Sequence, residues 1–225
     1  MSLLSLNHLT ISETSKSFSK KHSNFISECY DYLRDIVPFD GEKIFVSGGF
    51  FPRRFIGAPL RDVDVYVNGD DQYLAEVIED YRQLDWKVNH TLEKAYDGEG
   101  EGNTKRVLHY ICSKDGEPNI DLIAFHEPKS VFHIEKFDLN IVQLAISDDC
   151  FHFVNDDIFE YFETKHMNFT GNICTRTFER IIKYTILGYL MELEELAHVR
   201  NSFIEKIERP WRDAITKEKD TIPII

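Results

Sequence analysis

Two aspartates spaced two residues apart, Asp62 and Asp64, carry the clearest chemical potential in this chain. They lie in the run Asp62–Val67, whose alternation of apolar and polar residues is typical of a β-strand. Residues i and i+2 of a strand point to the same face of a sheet, so both carboxylates would project towards one spot. Adjacent carboxylates repel each other unless a cation lies between them, and hard oxygen ligands suit Mg²⁺ or Mn²⁺.

A Gly-Gly turn, Gly48-Gly49, precedes these aspartates by a loop short enough for the flanking strands to be neighbours. Glycine has no Cβ, so backbone N–H groups there can approach phosphate oxygens closely. Ser47 could add a hydroxyl to the phosphates, and a small residue that serves only the turn is an equal alternative. Because Mg²⁺ commonly shares its coordination shell with substrate phosphates, the pattern predicts metal-assisted transfer from a nucleoside triphosphate.

A third aspartate, Asp121, lies in the apolar strand pattern Ile120–Phe125. An unpaired carboxylate is costly to bury, and a metal ion is the simplest partner. Two-metal sites clamp the attacking and leaving oxygens, so we expect Asp62 and Asp64 to bind both ions. Asp121 would complete the shell of the attacking-side ion and help to deprotonate the nucleophile. The alternative is an Asp-x-Asp pair that merely lies on a surface strand.

Basic residues flank this predicted site at two places in the sequence. Arg53, Arg54 and Arg61 could neutralise phosphate charge, and a solvated basic turn is the alternative. Arg180 and Lys183 lie about one helical turn apart. They could reach the nucleotide, or they could form an exposed helix face.

The elements that must position these residues form a mixed α/β head followed by helices. Predicted helices cover residues 17–36, 49–56, 70–84, 156–166, 176–194 and 197–207. Predicted strands cover residues 44–46, 62–67, 107–112, 120–125 and 151–154, with a further strand beginning at 86. Residues 1–16 are predicted to be loosely structured, 97–103 to be an acidic loop, and 137–146 to be either helix or strand. We divide the chain into a catalytic head at 1–155, which includes the N-terminal helix, and a helical C-terminal region at 156–225.

Charge and cysteine content limit the choice of partners and compartment. The 225 residues carry a formal net charge of −13, whereas proteins that grip long nucleic acids normally present a basic surface. The four cysteines form no CxxC pair, which favours reduced thiols in a cytoplasmic protein. We find no signal-peptide pattern, and the longest apolar run, near Ile181, contains Lys183 and is too short to cross a membrane.

Three segments carry a resemblance to a known family. Gly48-Gly49, eight residues ending in Gly57, and then Ala58–Asp64 form an ungapped Gly-Gly…Gly-x-Pro-x-x-Asp-x-Asp motif. Phe137–Ala145, with Asp138, is similar to an Arg-Asp-Phe-Thr-x-Asn-Ala-Leu-Ala element. Phe178–Tyr184, followed by Gly188-Tyr189, is similar to a helix ending in Arg-Phe and Gly-Phe. The chain resembles, over about residues 43–190, the nucleotidyltransferase superfamily of the DNA polymerase β type, and more narrowly the head of bacterial tRNA nucleotidyltransferases (CCA-adding enzymes) and poly(A) polymerases.

The resemblance implies an α+β fold: a nucleotidyltransferase-type mixed sheet flanked by helices, followed by a small helical C-terminal region. It also implies three site roles: metal binding and catalysis by Asp62, Asp64 and Asp121; triphosphate binding by Ser47, Gly48 and Gly49; and a ribose contact by Asp138, for which a structural cap is the alternative. Two departures stand out. Pro52-Arg53 replaces the family's Arg-Asp, and Ile173–Arg176 replaces the Glu-Asp-x-x-Arg signature that reads the incoming base. We therefore infer the chemistry of the head and not CCA addition itself.

The expected reaction moves a nucleoside monophosphate from an NTP to an acceptor hydroxyl and releases pyrophosphate. The resemblance suggests an RNA 3′ end as the acceptor, whereas the negative charge favours a small molecule, a protein side chain, or an RNA held by a partner. Two alternatives remain open. One is a non-catalytic nucleotide-binding or regulatory module of the same fold, and the other is a toxin-like transferase.

Overall fold

The computed structural model describes residues 7–96, 105–125, 131–174 and 176–209. An eight-stranded sheet organises them, in the order β1-β8-β7-β2-β3-β6-β5-β4. The strands are β1 (Asn7–Thr10), β2 (Ile44–Ser47), β3 (Asp62–Val67), β4 (Lys87–Tyr96), β5 (Lys105–Ser113), β6 (Asn119–Phe125), β7 (Leu144–Ser147) and β8 (Cys150–Phe153). β3 and β6 pair in parallel, and the other neighbours pair antiparallel.

Seven α-helices accompany the sheet in the described ranges, which confirms the predicted α+β class with a mixed sheet. They are α1 (Thr14–Ser17), α2 (Lys20–Arg34), α3 (Phe50–Phe55), α4 (Asp71–Gln83), α5 (Ile158–Thr164), α6 (Thr177–Ile186) and α7 (Leu193–Phe203). A π-helical turn, Ile204–Glu208, extends α7. Among the helices that the structure describes, none is long and apolar enough to cross a membrane.

Alternation along β3 separates the core from the candidate site. Val63, Val65 and Val67 are buried in the main hydrophobic core with apolar residues of α2 and α4, whereas Asp62 and Asp64 stay partly exposed. Successive side chains of a strand point to opposite faces, so the valines fix the strand while the aspartates project from its other face. Core packing thereby determines which face of the sheet receives the carboxylates.

Several predicted elements are confirmed, and the segment left open is resolved. β3 has the predicted bounds, and β5 and β6 form the predicted hairpin. Residues 137–146 are neither one helix nor one strand: a 3-10 turn at Asn140–Val142 precedes β7. The predicted acidic loop at 97–103 lies outside the described residues, as do residues 210–225.

Two predictions of local structure were wrong. Residues 7–17 are ordered, because β1 gains backbone hydrogen bonds from β8 that a four-residue segment cannot signal by periodicity. The long helix predicted over 176–194 ends at Ile186. Gly188 adopts a left-handed φ of 93°, which commonly ends a helix, and the Leu190 N–H then donates to the Lys165 carbonyl before α7 begins.

The division at residue 155 stays a prediction. Phe159 and Phe162 of α5 belong to the same hydrophobic cluster as the valines of β3, so this helix packs on the core of the head.

Candidate active site

The strand register brings the three predicted aspartates to one face of the sheet. Asp64 of β3 lies opposite Asp121 of β6 in the parallel pair, and Asp62 lies two residues away on the same face. All three line a cavity of about 270 Å³. Gly48 and Gly49 form one edge of this cavity, and α6 forms the wall that faces the sheet.

Asp64 lies at the electrostatic centre of this group. Burial raises the pKa of its carboxyl to about 6, and the nearby charges of Asp62 and Asp121 add to the increase. Lys183 and the Gly49 backbone N–H act in the opposite direction without cancelling it. The floor of the cavity therefore carries negative charge that the surrounding protein leaves partly uncompensated, as expected of a site that binds a cation.

The donor set fits a hard divalent cation that is only partly enclosed by protein. Within the described ranges, no group of three or more His, Cys, Asp or Glu side chains is arranged to hold an ion by itself. Mg²⁺ usually keeps several waters and binds through one or two carboxylates plus substrate phosphates. Asp62, Asp64 and Asp121 could hold an ion in this way, with phosphate completing its shell.

The Gly-Gly turn lies in close contact with β3 on one side and α6 on the other. Gly48 has a φ of 78°, and a Cβ built on it would lie 2.5 Å from Oδ2 of Asp64. A Cβ on Gly49 would lie 3.3 Å from the Tyr184 hydroxyl and 3.5 Å from Nζ of Lys183. Both glycines therefore allow the backbone to approach the carboxylate on one side and α6 on the other.

Gly48→Ala should destabilise the protein by about 2 kcal/mol. A left-handed alanine costs about 1–2 kcal/mol, and the new methyl group must also displace the Asp64 carboxylate. Gly116→Ala is the matched control, since Gly116 has a φ of 87° and a Cβ added to it would meet no atom within 4 Å. Urea unfolding should show a smaller loss of stability for this control; equal losses would mean that the contact with Asp64 carries no cost.

An ion pair anchors the wall formed by α6. Nη1 of Arg180 donates to Oδ2 of Asp138 at 2.9 Å, and the Thr177 hydroxyl donates to the same oxygen at 2.8 Å. Asp138 is 2% exposed, and its Oδ1 is buried without a hydrogen-bond partner. Asp138, Arg180 and Lys183 all line the cavity, and the first two hold the loop before β7 against α6.

Four other predicted phosphate ligands are not among the described residues that line the cavity. The Ser47 hydroxyl donates to the Leu144 carbonyl at 2.6 Å, and Arg53 is buried and donates to the Pro59 carbonyl at 3.2 Å. The Arg54 guanidinium lies 5.1 Å from the ring centroid of Tyr32. Arg61 is exposed. Their role in phosphate binding stays a prediction that this geometry does not favour.

Tyr184 and His109 are among the cavity residues that the sequence reasoning missed. Tyr184 is 3% exposed, and burial followed by the charge of Asp64 raises the pKa of its hydroxyl. His109 of β5 has Nε2 3.5 Å from Oδ2 of Asp121. The hairpin pattern held a signal for His109, because the side chains that alternate along β5 share a face with those of β6.

Charge is thus divided between two walls of one cavity. Carboxylates line the sheet, while Arg180 and Lys183 approach from α6, which also contributes the Glu179 carboxylate. An anion such as a triphosphate could lie between metal ions on the sheet side and fixed cations on the helix side, which is the arrangement that phosphoryl transfer needs.

Solved structures similar to this chain include CCA-adding enzymes. A CCA-adding enzyme in complex with CTP has a TM-score of 0.50 and 14% identity, with 88% of this chain and 47% of that chain covered. The Thermotoga maritima CCA-adding enzyme complexed with tRNA has a TM-score of 0.48 and 14% identity over 88% and 46% of the two chains. This chain thus spans about half the length of these proteins, and the likeness to the CTP complex shows a fold like that of this nucleotidyltransferase.

Sequence comparison supplies a closer relationship. No curated protein sequence matches the chain significantly. A family model described as "Gabija anti-defense 2 family protein" matches residues 16–165, about two thirds of the chain, and this span includes all three aspartates of the cavity. The chain therefore belongs to the Gabija anti-defense 2 (Gad2) family.

Proposed function

We propose that this protein is a metal-dependent nucleotidyltransferase that moves a nucleoside monophosphate from an NTP to an acceptor hydroxyl. The observation that carries the proposal is the convergence of Asp62, Asp64 and Asp121 on one sheet face, where Asp64 lies in uncompensated negative charge. A carboxylate group with that electrostatic character suits divalent cations.

The residues of the chain would act mainly through position and charge. The acceptor hydroxyl would lose its proton with the help of Asp121 and its oxygen would attack the α-phosphorus; the bond from that phosphorus to the bridging oxygen would break, and pyrophosphate would leave. Mg²⁺ or Mn²⁺ held by the three aspartates would supply neutralisation of the charge on the reacting phosphate. Lys183 would attract the triphosphate from the helix side, and Gly48-Gly49 would let it approach the backbone.

We further propose a macromolecular acceptor in the cytoplasm. The similar solved structures include complexes with CTP and with tRNA, which supports an NTP and an RNA as candidate substrates. The family name points to a defence system as the biological setting, in which a protein side chain is the other candidate acceptor. The net charge of −13 favours an acceptor that is bound locally rather than along an extended polyanion.

A second candidate is anti-defence by binding alone, in a protein that keeps the fold without turnover. Its support is that Cys174 and its neighbours stand where tRNA nucleotidyltransferases have the signature that reads the incoming base. Such a protein would bind a nucleotide in the cavity and present a surface to its target.

The test is incubation of the purified full chain with each α-labelled NTP, Mg²⁺ or Mn²⁺, and total cellular RNA and protein. We expect label in one macromolecular fraction, with none for Asp62→Ala/Asp64→Ala. Asp115→Ala, at an exposed aspartate in the β5–β6 turn, should label as the wild type does. Metal-dependent NTP binding without label in any fraction would favour the non-catalytic candidate.

A further inference from the structure

His109 lies beside the third aspartate of the cavity in a position that the strand register fixes. The antiparallel pairing of β5 and β6 places His109 opposite Ile123 and Asp121 opposite Ile111. The His109 ring and the Asp121 carboxylate therefore share a sheet face. Both line the cavity, and the side chain of His109 is only 15% exposed.

A threonine on the neighbouring strand determines which ring nitrogen carries the proton. Oγ1 of Thr91 lies 2.8 Å from the backbone carbonyl oxygen of His109 and 2.8 Å from its Nδ1. The carbonyl oxygen can only accept, so it takes the single proton of the hydroxyl. Oγ1 must then accept from Nδ1–H, and the neutral ring carries its lone pair on Nε2.

This tautomer directs a lone pair at a carboxylate. Nε2 lies 3.5 Å from Oδ2 of Asp121, so in the neutral ring a nitrogen lone pair and a carboxylate oxygen lie at a separation that two ligands of one cation can take. Two ligands each about 2.1 Å from one ion lie roughly 3.0 Å apart at a right angle and roughly 3.4 Å apart in a tetrahedron. The observed separation is close to that range without any rearrangement of the strands.

We propose that Nε2 of His109 and Oδ2 of Asp121 together bind one divalent ion, and that the imidazole makes the site prefer Mn²⁺ or a later first-row transition metal to Mg²⁺. The proposal rests on the proposed function, which places a divalent ion at Asp121. Mg²⁺ favours oxygen ligands, whereas imidazole nitrogen suits transition metals. Water, phosphate or the neighbouring aspartates of the cavity would complete the shell.

The test measures Mn²⁺ binding to the full chain by electron paramagnetic resonance, with and without a non-hydrolysable NTP analogue. The wild type should show pulsed-resonance modulation from a directly coordinated ¹⁴N nucleus, and His109→Gln should lose it. The Kd for Mn²⁺ should rise on the order of tenfold in this variant, while the Kd for Mg²⁺, measured by competition, should change less than twofold.

His90→Gln is the matched control. His90 of β4 is exposed, and its ring packs against Tyr110 with centroids 4.8 Å apart. It precedes Thr91 and therefore points to the opposite face of the sheet. The control should keep both the ¹⁴N coupling and the affinity for Mn²⁺.

Thr91→Val tests the same inference without removing the imidazole. Without the threonine hydroxyl, the proton of the neutral ring can occupy either nitrogen. The affinity for Mn²⁺ should therefore fall by less than in His109→Gln, and the ¹⁴N coupling should persist. Retention of the coupling and of full affinity in His109→Gln would overturn the inference and leave the proposed function standing. If the wild type shows the ¹⁴N coupling but transfers no nucleotide, His109 is a metal ligand and the proposed function is wrong. If the wild type binds no Mn²⁺ at all, both the inference and the proposed function are overturned.

Discussion

Replacing Asp64 with asparagine should abolish nucleotidyl transfer and, at the same time, raise the free energy of unfolding at pH 7. An amide cannot supply a charged oxygen at the centre of the carboxylate group. We therefore expect the activity to fall by about 10³-fold, which is the upper end of the range for loss of one electrostatic contact. Stability should rise because Asp64 is held as an anion beside Asp62 and Asp121 in a partly buried site. Removal of that charge should raise the free energy of unfolding by about 2 kcal/mol.

The pKa of Asp64 also determines how this difference varies with pH. Its folded-state pKa of about 6 lies above the unfolded value of about 3.9, so the folded chain binds this proton more tightly. The contribution of Asp64 to stability therefore falls as the pH rises from about 4 to about 6, and the full penalty is present above that window. The stability advantage of Asp64→Asn should shrink as the pH falls and vanish below about pH 4.

Urea unfolding followed by circular dichroism between pH 4 and pH 8 measures this dependence, with labelled NTP transfer measured in parallel. Asp115→Asn, at an exposed turn position, should change neither quantity. A variant at Asp64 that is less stable than the wild type at pH 7 would show that the folded protein stabilises this carboxylate. The electrostatic argument for a cation site would then fail.

The sequence predicted the centre of the site better than its walls. Asp62, Asp64 and Asp121 follow from strand alternation, because period-2 burial allows only one face for polar residues in an apolar strand. The Gly-Gly turn follows from the absence of a Cβ, and Gly48 does lie against Asp64. Local patterns of this kind are set by residues within a few positions of each other.

Features that depend on distant segments could not be predicted in this way. Arg53 follows the glycine pair closely in sequence, yet its guanidinium is held by the Pro59 carbonyl because α3 turns that side chain away from the cavity. His109 entered the site only through the register of the β5–β6 hairpin. The end of α6 is set by the conformation of Gly188, although the apolar periodicity continues past it.

Arg180→Ala should cause the largest loss of stability of the substitutions considered, about 3 kcal/mol. The side chain of Asp138 is 3% exposed and that of Arg180 is 32% exposed, and removing one partner of a buried pair leaves an uncompensated charge. Oδ1 of Asp138 already has no hydrogen-bond partner, so Oδ2 would keep only the Thr177 hydroxyl and the weak Cys174 thiol donor, which lies 3.8 Å away. Transfer activity should fall as well, because the pair holds α6 across the cavity from the aspartates.

A second substitution separates the buried charge from the loss of packing. Asp138→Asn in the Arg180→Ala background removes the charge, keeps an acceptor for Thr177, and should restore more than half of the lost free energy of unfolding. Arg176→Ala, at the residue that precedes α6, is the matched control for stability. Arg176 and Glu179 are 50% and 72% exposed in their ion pair, and such surface pairs contribute at most about 1 kcal/mol. Guanidinium unfolding of the four proteins measures these differences. If Arg180→Ala costs no more than Arg176→Ala, the Asp138 pair does not hold the wall of the cavity in solution, and the position of α6 must depend on Ile181 and Tyr184 in the core.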